Sequence, residues 1–175
     1  MYLTEYLRSR RVWFKSLLHA PAFSAERLAA RLHVSGRGVA KAVLVHVGGE
    51  DWLAVLPASS RIDVARLAGA LGRDPADVLL ATPEEVARRF ADCEPGAVPP
   101  FGRPYGVATV LDASLAGPEI AFAAHTRHEA LRMRLADYEA VETPLHADFA
   151  MPSTHAPSPS PQPSRRPRPR RRRAG

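Results

Sequence analysis

Ala42-Val-Leu-Val-His-Val47 and Trp52-Leu-Ala-Val-Leu56 are two β-rich runs around the turn residues Gly48-Gly49-Glu50-Asp51, and this spacing predicts a hairpin. The segments on either side read differently. From Thr4 to Leu18, Tyr6, Leu7, Val12, Phe14, Leu17 and Leu18 are interrupted by basic residues, as in a helix followed by a short extended piece. Ser24 caps a helix predicted over Ala25 to Leu32, whose Leu28, Ala29 and Leu32 fall at three-to-four spacing. Between Asp63 and Leu71 the residues Val64, Leu67, Ala68 and Leu71 share a helical face, and Val78-Leu-Leu-Ala81 reads as a strand. Thr82-Pro83-Glu84-Glu85 starts a helix: a capping residue, a proline at the first position, and acids at the positive end of the dipole. Val107 to Leu111 and Glu119 to Ala123 read as strands, and Ala130 to Ala140 as mixed strand and helix. Helix and sheet are therefore interleaved throughout.

The chain has 175 residues, 46% of them hydrophobic, enough for one ordinary core and with no call for two. Its formal charge is +6, but seven arginines (165, 166, 168 and 170–173) lie in the last eleven residues. Subtracting those seven from 24 basic residues leaves 17 against 18 acidic ones, so the body is close to neutral and a nucleic-acid groove must be local. Proline, serine and arginine dominate from Pro152 onward, with no apolar material to offset ordering entropy. The expected division is a folded domain over 1–148 and a disordered basic tail over 149–175. That tail suits nonspecific contact with RNA phosphates; the alternative is a solvated end with no partner.

Cys93 is the single cysteine, which excludes an internal disulfide and a cysteine-built zinc site and fits a reducing compartment. No metal site is expected from histidine spacing either. Charges run through Met1 to Lys15, and no segment approaches the ~20 apolar residues of a membrane span. The expectation is a cytoplasmic protein without a membrane partner.

Glu94-Pro-Gly-Ala-Val-Pro-Pro-Phe-Gly102 combines three prolines that stiffen a loop with two glycines that let backbone approach a ligand closely. Such a loop can hold an ester carbonyl and stabilise its oxyanion, and it can equally be an ordinary tight connection. Cys93-Glu-Pro-Gly-Ala-Val-Pro-Pro-Phe-Gly102 closely resembles the signature of the YbaK and prolyl-tRNA synthetase insertion-domain family of aminoacyl-tRNA deacylases. Ala40-Lys41-Ala42-Val43-Leu44-Val45, Gly48-Gly49 and Leu53-Ala-Val-Leu-Pro57 repeat the family's order of lysine, strand, glycine turn and strand. With Leu80 to Val86 and Leu111 to Leu115, the resemblance extends over roughly Leu18 to Val141.

The resemblance implies an α+β domain with a mixed, partly barrel-like sheet flanked by helices, and a cleft for the aminoacylated end of a mischarged tRNA. It implies ester hydrolysis by positioned water, without a covalent intermediate and without a cofactor, and contact with an aminoacyl-tRNA synthetase as a further partner. Small residues such as alanine, cysteine or serine are the amino acids it implies. Lys41 matches the family's functional lysine and would orient the terminal nucleotide; Gly96 and Pro100 bound the loop that positions the carbonyl, with Ala97, Val98 and Pro99 between them and Phe101 and Gly102 beyond. Lys41 and Lys15 are the only lysines in an arginine-rich chain, which disfavours a filler role for Lys41. The segment Phe122 to Ala130 matches a family stretch with altered residues, where Thr126 and His128 are substrate-binding candidates and the family's glycine and histidine positions fall on His125 and Arg127, or, with a one-residue shift, the histidine position falls on His128. His19 and Ser24 resemble residues near the cleft, although capping alone explains Ser24. Cys93 has no base assigned to it, which favours burial over nucleophilic use.

Two other functions fit the sequence. Ser24 through Lys41 looks like a helix-turn-helix, although Gly36, Gly38 and the β-branched Val43, Val45 and Val47 favour a strand where the recognition helix would lie. The altered segment Ala124 to His128 leaves open a binding module of the same fold that lacks the chemistry.

Overall fold

The computed structural model describes residues 3–115 and 117–153. Three sheets carry the fold. The largest has the order β5 (Val78–Leu80), β2 (Ala40–Val47), β3 (Glu50–Pro57), β6 (Ala108–Asp112), β9 (Leu145–Ala147). The β2–β3 hairpin pairs in full register from Ala40↔Pro57 to Val47↔Glu50, with Gly48 and Gly49 in the turn at positive φ. β6 then joins β3 in parallel, so the sheet is mixed. The second sheet is antiparallel, with the order β1 (Lys15–Leu18), β8 (Thr126–Arg134), β7 (Glu119–Ala124). A parallel bridge between Val39 and Ala121 links it to the first. β4 (Ser60–Ile62) and β10 (Ala150–Pro152) make a two-stranded ribbon. β10 thus lies within the first residues of the segment expected to be tail; residues 154–175 fall outside those described.

Five α-helices flank the sheets among the described residues: α1 (Leu3–Ser9), α2 (Ala25–Leu32), α3 (Val64–Ala70), α4 (Pro83–Arg89) and α5 (Leu135–Glu142). Their starts follow the local chemistry. Ser24 accepts a hydrogen bond from the Arg27 amide, Asp63 from those of Ala65 and Arg66, and Thr82 and Glu85 form a reciprocal capping box. None of these helices is long and apolar enough to cross a membrane.

The expected mixed α+β domain is present, but its sheets do not close into a barrel. The two larger sheets pack through a core in which Phe101 meets Tyr138, Phe122 and Tyr6 edge-on, with ring centroids 5.1, 5.5 and 6.3 Å apart. The helix-turn-helix reading fails here: after α2 the chain makes one 3-10 turn, Gly36–Gly38, and enters β2, so Lys41 lies on a strand.

Candidate functional site

The segment between β1 and α2 is tied to the start of β8. The His19 amide donates to the His128 carbonyl at 2.9 Å, and the Ala22 amide to that of Arg127 at 2.9 Å. This brings His19, Phe23 and Ser24 beside Thr126 and Arg127 at the β7–β8 turn. The proline loop is stitched to the same turn. Its Glu94 amide donates to the His125 carbonyl (2.7 Å), the His125 amide to the Ala97 carbonyl (3.2 Å), and the Arg127 amide to the Glu94 carboxylate (2.8 Å). Arg127 Nε also donates to the Pro95 carbonyl at 3.0 Å, and its guanidinium lies over the Phe23 ring, 4.7 Å from the centroid.

These segments, with β2 and the first turn of α2, enclose a cleft of about 290 Å³. Lys41, Gly96, Val98, Thr126, His19 and Ser24 line it, so six sequence candidates from four separate stretches converge. Gly96 adopts φ +83°, and a β-carbon there would lie 2.7 Å from the Phe23 carbonyl oxygen. Only glycine lets the loop approach the opposite wall this closely.

Lys41 projects from β2 to within 3.3 Å of Glu26 Oε1 and 3.4 Å of the Ala58 carbonyl. Burial opposes ionisation of Glu26, but hydrogen bonds from its own amide and from Ser24, together with the Lys41 ammonium, hold its carboxyl below the ordinary value. An ammonium and a carboxylate therefore face the same cavity. His19 Nδ1 contacts the Ala20 carbonyl at 2.8 Å, while its Nε2 is buried without a hydrogen-bond partner.

The remaining candidates do not line the cleft. Ala97 and Phe101 are fully buried, and the Ala97 amide is committed to the Glu94 carbonyl at 2.9 Å. Pro99 and Pro100 are buried, and the Pro100 carbonyl accepts from Tyr138 Oη at 2.8 Å. The Gly102 amide donates to Glu142 Oε1 at 2.7 Å, and a β-carbon there would lie 2.3 Å from the Val107 carbonyl oxygen. The second half of the loop is thus an anchor, and only Gly96 and Val98 reach the cavity. His128 is exposed on β8, whereas its neighbour Arg127 lines the cleft. Cys93 lies outside the cleft, half-buried, and burial pushes its thiol up to about 11, which suits packing better than nucleophilic attack.

Among the charged and aromatic residues of the cleft, Glu26, Phe23 and Arg127 are the ones that the sequence does not single out as site residues. Glu26 belongs to no motif, Phe23 carries no pattern, and Arg127 falls where the family has a histidine. The last two are placed by contacts between segments far apart in sequence, the Ala22–Arg127 backbone bond and the stacking of Arg127 on Phe23.

A mixed α/β domain with a glycine-loop cleft facing a strand lysine defines the class. Residues 19–141 match the aminoacyl-tRNA editing domain, and the chain belongs to that family. Solved structures share the fold. The hypothetical protein APE2540 has a TM-score of 0.76 at 21% identity, covering 85% of this chain and 99% of that one. A candidate trans-editing enzyme for prolyl tRNA synthetase has a TM-score of 0.71 at 21% identity, covering 85% and 94%. A candidate signal transduction protein from Marinobacter aquaeolei VT8 has a TM-score of 0.64 at 16% identity, with 84% of this chain matching 30% of that one. No curated protein matches in sequence.

Proposed function

We propose that the cleft receives the aminoacylated 3′ end of a mischarged tRNA carrying a small amino acid, and that the chain hydrolyses its ester. Water adds to the carbonyl carbon, the bond to the ribose oxygen breaks, and the free amino acid leaves with the proton balance restored by solvent. No side-chain nucleophile is needed, because catalysis comes from holding water and ester together. The observation that carries this reading is the convergence of Lys41 and the close-approach glycine Gly96 on one 290 Å³ cavity. That volume, at the small end for ligand sites, suits a small aminoacyl group with the nucleotide left at the mouth. Lys41 exchanges Glu26 for a nucleotide phosphate, and His19 Nε2 and Thr126 supply hydrogen bonds to the substrate.

Release of labelled amino acid from a panel of mischarged tRNAs tests this. The expected result is cleavage of one or a few small-residue species, with correctly charged tRNAs spared and activity lost in Lys41→Ala and Gly96→Ala. Binding of tRNA without cleavage of any species would instead make the domain a binding module.

A further inference from the structure

Four donor side chains that no sequence spacing groups together meet outside the cleft. Asp92 and Cys93 follow α4, Tyr105 lies in the 3-10 turn Arg103–Tyr105, and His125 sits between β7 and β8. His125 Nε2 is 2.9 Å from Tyr105 Oη and 3.4 Å from Asp92 Oδ2. Tyr105 Oη is 3.3 Å from Asp92 Oδ2, and Cys93 Sγ is 3.6 Å from Tyr105 Oη and 3.7 Å from Asp92 Oδ1. The carboxylate, thiol and imidazole donors all lie within 4.8 Å of one another. Donor atoms this close together can share one ion, whose bonds to nitrogen, oxygen and sulfur are about 2.0–2.3 Å long.

The donor types agree with the geometry. A carboxylate, and a thiolate formed when the metal displaces the Cys93 proton to solvent, offset the charge of a dication, and mixed sulfur, nitrogen and oxygen ligation suits zinc rather than magnesium or calcium. His125 is 4% exposed and holds φ +67°, a conformation that costs energy for a residue with a side chain. Its imidazole is thereby turned into the cluster.

We propose that Asp92, Cys93, Tyr105 and His125 form a binding site for one zinc-class divalent ion. Asp92 and Cys93 immediately precede the proline loop, and the His125 backbone is bonded to Glu94 and Ala97 within it. An ion held here clamps both ends of that attachment and serves as a structural lock on the loop.

The test is titration of the full chain, first stripped with a chelator, with Co²⁺ and then Zn²⁺. The expected result is one Co²⁺ per chain, with thiolate-to-cobalt charge-transfer absorption and the visible bands of four-coordinate cobalt, all displaced by Zn²⁺. Cys93→Ser should abolish the charge-transfer band. His125→Gly suits the left-handed backbone and keeps the circular dichroism of the fold; it should weaken binding by at least about 100-fold, the upper end of what losing a ligand's hydrogen-bond partner does. His46→Asn, which alters the His46–Asp51–Glu85 cluster and removes none of the four donors, should leave cobalt binding unchanged. Absence of the charge-transfer band in the wild type at saturating Co²⁺, its persistence in His125→Gly, or its loss in His46→Asn would each overturn the proposal, leaving the four groups as a hydrogen-bonded brace.

Discussion

At the scale of single residues, Gly96 has two independent reasons to be glycine: a left-handed backbone and a carbonyl where a β-carbon would go. Alanine there must relieve a 2.7 Å contact with backbone, which no rotamer change can do, so either the loop or Phe23 shifts. Strain of this kind costs about 1–3 kcal/mol, or roughly 2–10 °C of melting temperature in a domain of this size. The effect on turnover should be larger. Displacing a positioning group by about 1 Å costs on the order of 100-fold in rate, so Gly96→Ala should lose far more deacylase activity than stability. Thermal melts beside single-turnover hydrolysis check this; a variant that melts early and turns over normally would show that Gly96 serves folding alone. Gly102 is the contrasting case: its β-carbon would meet the Val107 carbonyl and Thr109 inside the anchor, so its replacement should act through stability first.

At the scale of elements, the β2–β3 hairpin is pinned to α4 by charge. His46 Nδ1 lies 2.8 Å from Asp51 and its Nε2 3.3 Å from Glu85, while Arg89 also pairs with Asp51. Hydrogen bonding to Asp51, then to Glu85, raises the His46 pKa above its ordinary value. The folded state therefore holds this proton more tightly than the unfolded chain. The resulting stability is complete below the unfolded value of about 6.5 and is lost as pH rises through the raised folded value. His46→Asn removes that titration. Between about pH 6 and pH 8 the wild type should lose roughly 1–3 °C of melting temperature relative to the variant, the small size reflecting a partly exposed pair. Parallel slopes for the two proteins would exclude this role. Much at this scale was legible in the sequence: Ser24 and Thr82 mark helix starts, and the Gly48-Gly49 turn marks the hairpin, because each is local chemistry acting on a few neighbours. β4, β9 and β10 were not legible, since, unlike the apolar run of β5, their three residues make no run of strand-forming side chains and pair with an edge distant in sequence. The same limit hid Arg127 and Phe23 from the site, because contacts distant in sequence place them there.

At the scale of the whole molecule, the distribution of charge separates binding from chemistry. Without the seven C-terminal arginines, 17 basic residues face 18 acidic ones, so the body exerts little long-range pull on a polyanion. Within the cleft, Lys41 and Arg127 are the cations positioned to meet phosphate, and Glu26 stands beside the first. Most salt-sensitive affinity for tRNA should therefore come from the C-terminal segment, while the ester-cleaving step should depend on the cleft alone. Ending the chain at Ser153, after β10, divides the two contributions. Each phosphate contact contributes roughly 0.7–0.9 to the slope of log affinity against log salt, so loss of seven arginines should flatten that slope by up to about five or six. Affinity should fall most at low salt. Single-turnover hydrolysis at saturating tRNA should be unchanged, because no group lining the cleft has been removed. A slope that stays the same on truncation would mean that the arginines do not contact the RNA, whereas a drop in the saturated rate would mean that they help to seat the 3′ end and belong to the machinery rather than to capture.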